Sequence, residues 1–260
     1  MPTARILGAD LYYERHGEGP PLVFAHALSA NHLAWWQQVP HFRERYSCIT
    51  FDHPGFGQSG QPPGNDWSFV DCLAGLLDEL KIARVSLVAQ SMGGETCLGF
   101  TLRHPERVAA LVMADTILPL QLPEFGDWRL GSGPRRAELV ARGILPSCGE
   151  RMAREQPALH FLYRQIGALN PPWSVDNPPP GSLRVPHAGH AELRGYATPT
   201  LFVIGEEDAS IPPHILELGA AAVPGARIAR VPRAGHSVYF ERAAEFNRLV
   251  DEFLAEVGVW

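Results

Sequence analysis

Long apolar runs are missing from this 260-residue chain, and so is any excess of basic charge. No window approaches the roughly 18 apolar residues a membrane-crossing helix needs, so no membrane association is expected. The first residues, Met1-Pro-Thr-Ala-Arg-Ile-Leu-Gly, do not run from a basic start into an apolar stretch, so they do not read as a signal peptide. The cytoplasm is the expected compartment. Lys and Arg number 22 against 28 Asp and Glu, a formal net charge of −6. A surface built to neutralise phosphates needs the opposite balance, so nucleic acid is not an expected partner. The mild acidity serves solubility.

Cysteines are few and scattered. Cys48, Cys72, Cys97 and Cys148 show no C-x-x-C spacing, and Cys48 and Cys97 fall inside a predicted strand and helix, where small apolar residues are buried. Free thiols are expected. His187 and His190 form an H-x-x-H pair, but in a loop after proline with no third ligand nearby, so no metal is expected. No internal repeat is visible, and the sequence does not define an oligomeric state.

What is present is a substantial apolar fraction, 45% against 19% charged residues, enough for one domain plus an insertion. Residues 4–17 read as an opening hairpin turning at Ala9-Asp10. Strands at 22–25, 48–51, 85–89, 109–114, 201–204 and 227–231 then alternate with helical stretches, which implies a mostly parallel sheet covered on both faces. Over 69–82 the residues Phe69, Val70, Leu73, Leu76, Leu77 and Leu80 share one helical face. Phe246, Leu249, Val250, Phe253 and Leu254 do the same in the last helix. Both faces should pack on the sheet.

Between Thr116 and Tyr196 the alternation breaks, and prolines accumulate from Pro119 to Pro186. Helical pieces are expected near 135–145 and 150–169, with Asn177-Pro-Pro-Pro-Gly181 as a stiff linker. The domain reading is a core of residues 1–116 and 197–260 with a helical cap inserted at 117–196, roofing the carboxyl edge of the sheet and selecting the substrate.

The chemistry begins in Val85-Ser-Leu-Val-Ala-Gln-Ser91-Met-Gly-Gly-Glu95. An apolar strand runs into Ser91, and a helix over 92–104 follows, stopped by Pro105. A tight strand-to-helix turn lifts a serine hydroxyl clear of the sheet, but it demands small neighbours. Ala89, Gly93 and Gly94 supply them, with Ala89 where the G-x-S-x-G pattern has its first glycine. Taken alone, the pentapeptide is equally a helix cap.

Two later strand ends supply context. Thr200-Leu-Phe-Val-Ile204 runs into Gly205-Glu-Glu-Asp208, and the strand at 227–231 leads to Gly235-His236-Ser237. Serine, acid and histidine thus follow one another at strand carboxyl ends, which share one edge of a parallel sheet. In such an arrangement His236 takes the serine proton while Asp208 fixes the imidazole tautomer. The spacing from Gly205 to Asp208, followed by Pro212, favours Asp208 as the acid. Asp115, at the end of the 109–114 strand, and Glu206 and Glu207 are the other carboxylates in position.

On these residues the chain resembles the α/β-hydrolase superfamily, over nearly its whole length and specifically its single-domain members with an inserted cap. Leu22-Val-Phe-Ala-His26-Ala27-Leu28 is similar to the family's strand and H-G-x loop, with alanine for glycine. Asp52-His-Pro54-Gly55-Phe-Gly57-Gln-Ser59 resembles its D-x-R-G-x-G-x-S turn, read as structural. Gly235-His236-Ser237 with Glu241 and Phe246-Asn247 resembles its terminal G-H-x-x-x-x-E-x-P-x-x-F-N pattern, with Ala243 for proline. The resemblance implies an eight-stranded, mostly parallel sheet, an oxyanion hole from the backbone amides of Leu28 and Met92, and no cofactor.

The activity expected is hydrolysis of a small carboxylic ester or lactone through an acyl-enzyme on Ser91. C–C bond hydrolysis of a meta-cleavage-type keto acid and a non-hydrolytic receptor on the same fold are the alternatives. An apolar or aromatic small molecule would suit Phe125, Trp128, Leu130, Phe161, Tyr163, Trp173, Trp35 and Trp36, although most such residues serve packing. Arg129, Arg135, Arg136, Arg142, Arg151, Arg154 and Arg164 lie in the insertion. One guanidinium among them would suffice to clamp a substrate carboxylate, solvated helix faces explain the set, and nothing in the sequence selects one. His26 beside the oxyanion loop reads as an imidazole bonded to nearby backbone.

Overall fold

A computed structural model describes residues 2–174 and 176–259, with the side chains at 129–131 and 183 outside the described set. Arg129 and Leu130, two of the candidates named above, are among these undescribed side chains.

In chain order the elements are β1 (Thr3–Ile6), β2 (Ala9–His16), β3 (Pro21–Ala25), α1 (Gln38–Phe42), β4 (Ser47–Phe51), α2 (Phe69–Glu79), β5 (Val85–Gln90), α3 (Gly93–Arg103), β6 (Val108–Ala114), α4 (Trp128–Ala141), α5 (Glu150–Glu155), α6 (Pro157–Ala168), β7 (Thr200–Gly205), α7 (Pro213–Ala222), β8 (Arg227–Val231), α8 (Val238–Glu241) and α9 (Ala243–Glu256). The strands form one sheet in the order β1-β2-β4-β3-β5-β6-β7-β8. The β1–β2 and β2–β4 pairs are antiparallel, and every later pair is parallel.

Strand period divides the core in two. Val23, Ala25, Leu87, Ala89, Leu111 and Met113 join Leu73, Leu76 and Leu77 of α2 and Cys97 of α3 on one face. Leu22, Phe24, Val88, Val112 and Ala114 face the other way, against Phe42 of α1 and Phe246, Val250, Phe253 and Leu254 of α9. Each large side chain so buried is worth about 1.5–3 kcal/mol. With both faces covered, only the strand ends are available for chemistry. Among the described residues no helix is long and apolar enough to cross a membrane.

Four boundaries differ from the sequence reading. The opening hairpin turns at Leu7-Gly8, both left-handed at φ 49° and 85°, and Ala9 is already paired with Ile6. A two-residue hairpin loop of this type I′ form needs positive φ at both positions, and glycine satisfies one without strain. Helix α2 stops at Glu79, short of residue 82, because Lys81 adopts φ 56°. Helix α4 starts at Trp128 instead of 135, passes through Pro134 and ends at Ala141 instead of 145. Its glycines and proline disfavour a helix locally, and burial of Ser132 and Leu139 overrides that preference. The helix expected over 150–169 is two, broken at Gln156. Pro157 excludes its predecessor from helical angles and starts α6 itself.

Candidate active site

Ser91 lies between β5 and α3 with φ +50°, a left-handed backbone that costs a serine energy and is held by its surroundings. Its carbonyl accepts hydrogen bonds from Gly94 N–H (2.8 Å) and the Thr116 hydroxyl (2.7 Å), and its N–H donates to Ala114 O (3.2 Å). The turn closes only because its neighbours are small. A Cβ at Gly93 would sit 2.2 Å from Ala25 O, and one at Gly94 would sit 2.6 Å from Thr116 Oγ1. At the position of the replaced glycine, Ala89 is in register with Ala25, so one methyl faces another and no larger side chain competes.

Two loops bring partners to this serine. After β8, His236 is buried and its Nε2 lies 2.9 Å from Ser91 Oγ. After β7, Asp208 Oδ2 accepts a hydrogen bond from His236 Nδ1 at 2.8 Å, while Asp208 Oδ1 accepts the N–H groups of Ser210 (2.7 Å) and Ile211 (2.9 Å). The Nδ1 proton is thereby committed to Asp208, which leaves Nε2 as an acceptor for the serine hydroxyl. Burial alone would lower the pKa of His236, but the charge and hydrogen bond of Asp208, with Asp115 behind it, outweigh burial and raise it.

Asp208 is the carboxylate bonded to this imidazole. Asp115, fully buried, accepts Gly205 N–H (2.7 Å) and Val238 N–H (2.9 Å), so it ties the β7 end to the segment after His236. Burial and the neighbouring charge of Asp208 push its pKa well up. Glu207 pairs with Arg151.

Three sets of contacts around His236 escaped the sequence reading. Gln90, at the end of β5, donates its amide to His236 O at 2.6 Å; a large polar residue closing a buried strand was the available signal. Glu241 accepts N–H groups from both neighbours of His236, Gly235 at 2.9 Å and Ser237 at 3.3 Å, and from Gly149 at 2.9 Å. Its place in the terminal pattern marked it without revealing this use. The buried Tyr163 hydroxyl joins Ser237 Oγ (3.0 Å) to Ser29 Oγ (3.3 Å), a contact between residues too distant in sequence to be read there.

Leu28 and Met92 flank the same edge, one after β3 and the other directly after Ser91. Neither N–H donates a hydrogen bond to an acceptor among the described residues. His26, as expected, is bonded to backbone: its Nδ1 lies 2.8 Å from Ala27 O and its Nε2 accepts His53 N–H at 2.9 Å. His53 continues the row to Thr96 Oγ1 at 2.8 Å. Burial pushes the His26 pKa down to about 4 and that of His53 well below its ordinary value.

Most of the aromatic candidates pack. Trp35 is buried against Tyr239, Tyr163 against Phe240, and Trp173 donates to Gly55 O. Trp36 and Phe161 are exposed. All four cysteines are free and buried. His190 pairs with Glu124, and among the described residues no group of three or more His, Cys, Asp or Glu side chains is arranged to hold a metal.

Comparisons with known proteins agree with this architecture. A family model described as the alpha/beta hydrolase fold matches residues 20–143. A 2-hydroxymuconate semialdehyde hydrolase of Pseudomonas sp. (strain CF600) is 30% identical, over 96% of this chain and 93% of that protein. The structure of a thermophilic esterase from Thermogutta terrifontis with malate bound superposes with a TM-score of 0.80 at 27% identity, covering 96% of this chain and 94% of that one. That of an N-acyl homoserine lactone degrading enzyme gives 0.77 at 28% identity, covering 97% and 100%. Sheet order, serine turn and these full-length likenesses converge: the chain belongs to the alpha/beta hydrolase fold family and is a hydrolase.

Proposed function

We propose that this hydrolase cleaves a small carboxylic ester or lactone through an acyl-enzyme formed on Ser91, with His236 as base, Asp208 as orienting acid, and residues 117–196 as the cap over the site. The observation that carries the reading is the continuous hydrogen-bonded row from Ser91 Oγ through His236 to Asp208, 2.9 and 2.8 Å per link.

In this mechanism Ser91 Oγ attacks the carbonyl carbon while its proton passes to His236 Nε2, and Asp208 stabilises the imidazolium. The carbonyl oxygen becomes an oxyanion, received by the Leu28 and Met92 N–H groups; their lack of internal acceptors supports that role. Collapse expels the alcohol, or opens the lactone, as His236 returns the proton to the leaving oxygen. A water then gives its proton to Nε2 and attacks the acyl carbon, and His236 returns that proton to Ser91 Oγ as the intermediate collapses and the acid leaves. No cofactor takes part in any of these steps.

A second reading, hydrolysis of a C–C bond in a keto acid, is favoured by the name of the 30% identical relative. A panel of short p-nitrophenyl esters, lactones and ring-cleavage keto acids tests both. The proposal expects kcat/KM for an ester or lactone to exceed that for the keto acids; the reverse order replaces it with the second reading.

A further inference from the structure

Helix α6, in the segment between β6 and β7, lies against the loop that follows β3, and its sequence sets how closely. A Cβ at Gly167 would sit 2.8 Å from Ser29 O, so the approach requires glycine. The last carbonyls of a helix lack their usual partners. One of them, Ile166 O, accepts Asn31 Nδ2 at 3.0 Å, and the Tyr163 hydroxyl lies 3.3 Å from Ser29 Oγ. Just past the end of α6, Asn170 reaches the same loop.

The Asn170 amide serves two loops at once. Its Nδ2 donates to Ala30 O at 2.9 Å, while its Oδ1 accepts Gly57 N–H at 3.0 Å and Asn31 Nδ2 at 3.3 Å. A carbonyl can only accept and a backbone N–H can only donate, so the amide has one orientation. The Gly57 turn is itself fixed: Asp52 accepts Gln58 N–H through Oδ2 and His32 N–H through Oδ1, each at 2.8 Å. Asn170 thereby ties the loop after β3 to a firm support.

Residues 27–30 of that loop form a turn closed by Ala30 N–H on Ala27 O at 3.1 Å. Side chains hold both of its ends. Ala27 O also accepts His26 Nδ1, at 2.8 Å, and Ala30 O accepts Asn170. Between them the Leu28 N–H has no acceptor among the described residues, so no bond of its own aims it. Its direction is set by the two anchored ends.

We infer that Asn170 is a positioning residue for the oxyanion step: it holds the 27–30 turn so that the Leu28 N–H points at the carbonyl oxygen as charge develops there. The inference rests on the proposed serine hydrolase reading and deepens it. Oxyanion donors act mainly on the transition state, so lost aim lowers kcat and leaves ground-state binding nearly alone.

The test measures p-nitrophenyl butyrate turnover and inhibition by butylboronic acid, which forms a tetrahedral anion on a serine hydroxyl. Asn170→Asp keeps an acceptor for Gly57 N–H but sets an oxygen against Ala30 O. It lowers kcat per folded molecule by about 10- to 100-fold, with KM within a few-fold, and weakens the boronic acid by a similar factor. Asn170→Ala, which adds no charge, does the same and leaves the acid-side midpoint of kcat/KM at the wild-type pH, because the Ser91–His236–Asp208 row is untouched. Asn177→Asp, the same change at an exposed position of the segment, leaves all these quantities at wild-type values. If Asn170→Asp does not fold, Asn170→Ala is decisive. A lowered Tm with kcat per folded molecule and boronic acid affinity unchanged, or a displaced pH midpoint in Asn170→Ala, overturns this inference alone. Wild-type protein that turns over no ester overturns the serine hydrolase reading and this inference with it.

Discussion

The Glu241 carboxylate accepts the Gly149 N–H at 2.9 Å, joining the loop after α4 to the turn that presents His236. With Gly235 and Ser237 also bonded to it, one buried side chain fixes the backbone on both sides of the imidazole. Glu241→Gln places an amide NH2 where a donor must be accepted. It should cost about 1–3 kcal/mol and lower Tm by several degrees. Loss of kcat greater than any rise in KM would show that His236 has moved; an unchanged Tm would contradict the bonding described.

Gly93 and Ala25 make the serine turn possible by close approach. Gly93→Ala drives a methyl to 2.2 Å from Ala25 O, and it should destabilise by about 1–3 kcal/mol or more and sharply lower turnover. Ala89→Gly, which restores the usual glycine, should cost at most about 1 kcal/mol and keep activity within a few-fold. Thermal melts with ester assays on both variants check this, and equal tolerance of the two would contradict it.

The pH profile follows from His236. Its pKa is raised above the ordinary 6.5, and the base must be neutral to act, so kcat/KM should fall on the acid side with a midpoint above 6.5. Asp208→Asn removes the charge responsible. Its midpoint should shift to lower pH as kcat drops by about 10²- to 10⁴-fold. A wild-type midpoint well below 6.5 would contradict the pairing.

His26 behaves in the opposite sense. Its folded pKa of about 4 lies below the unfolded value of about 6.5, so the unfolded chain binds more protons between those values. The stability it contributes is complete above pH 6.5 and is lost as pH falls toward 4, about 3 kcal/mol in all. Nitrogen-edge NMR at pH 5 should find His26 neutral, with the proton on Nδ1. An imidazolium there would contradict the His26–His53–Thr96 row.

The sheet and its serine edge were legible because strands such as β5 and β7 are short apolar runs ending in chemistry-bearing residues, Gln90-Ser91 and Gly205 to Asp208. Tertiary contacts hid the rest. Only the second half of α4, from residue 135, was legible; its first turns carry glycines and Pro134, which argue against a helix that Leu139 and Ser132 nevertheless bury. Asp115 and Asp208 both leave strand ends, and in sequence only the spacing from Gly205, followed by Pro212, favoured Asp208; in the structure Asp115 spends its oxygens on Gly205 and Val238. Likewise, the arginines between β6 and β7 look alike in sequence until ion pairs account for Arg135, Arg142, Arg151 and Arg154.

The most direct measurement of the central claim is intact-mass analysis after exposure to an organophosphonate probe, run beside turnover of a short p-nitrophenyl ester. Wild-type protein should gain one adduct, mapped to Ser91, and lose turnover in step with labelling. Folded Ser91→Ala should gain none and show turnover reduced by several orders of magnitude. An adduct elsewhere, or ester turnover that survives Ser91→Ala, would contradict the account.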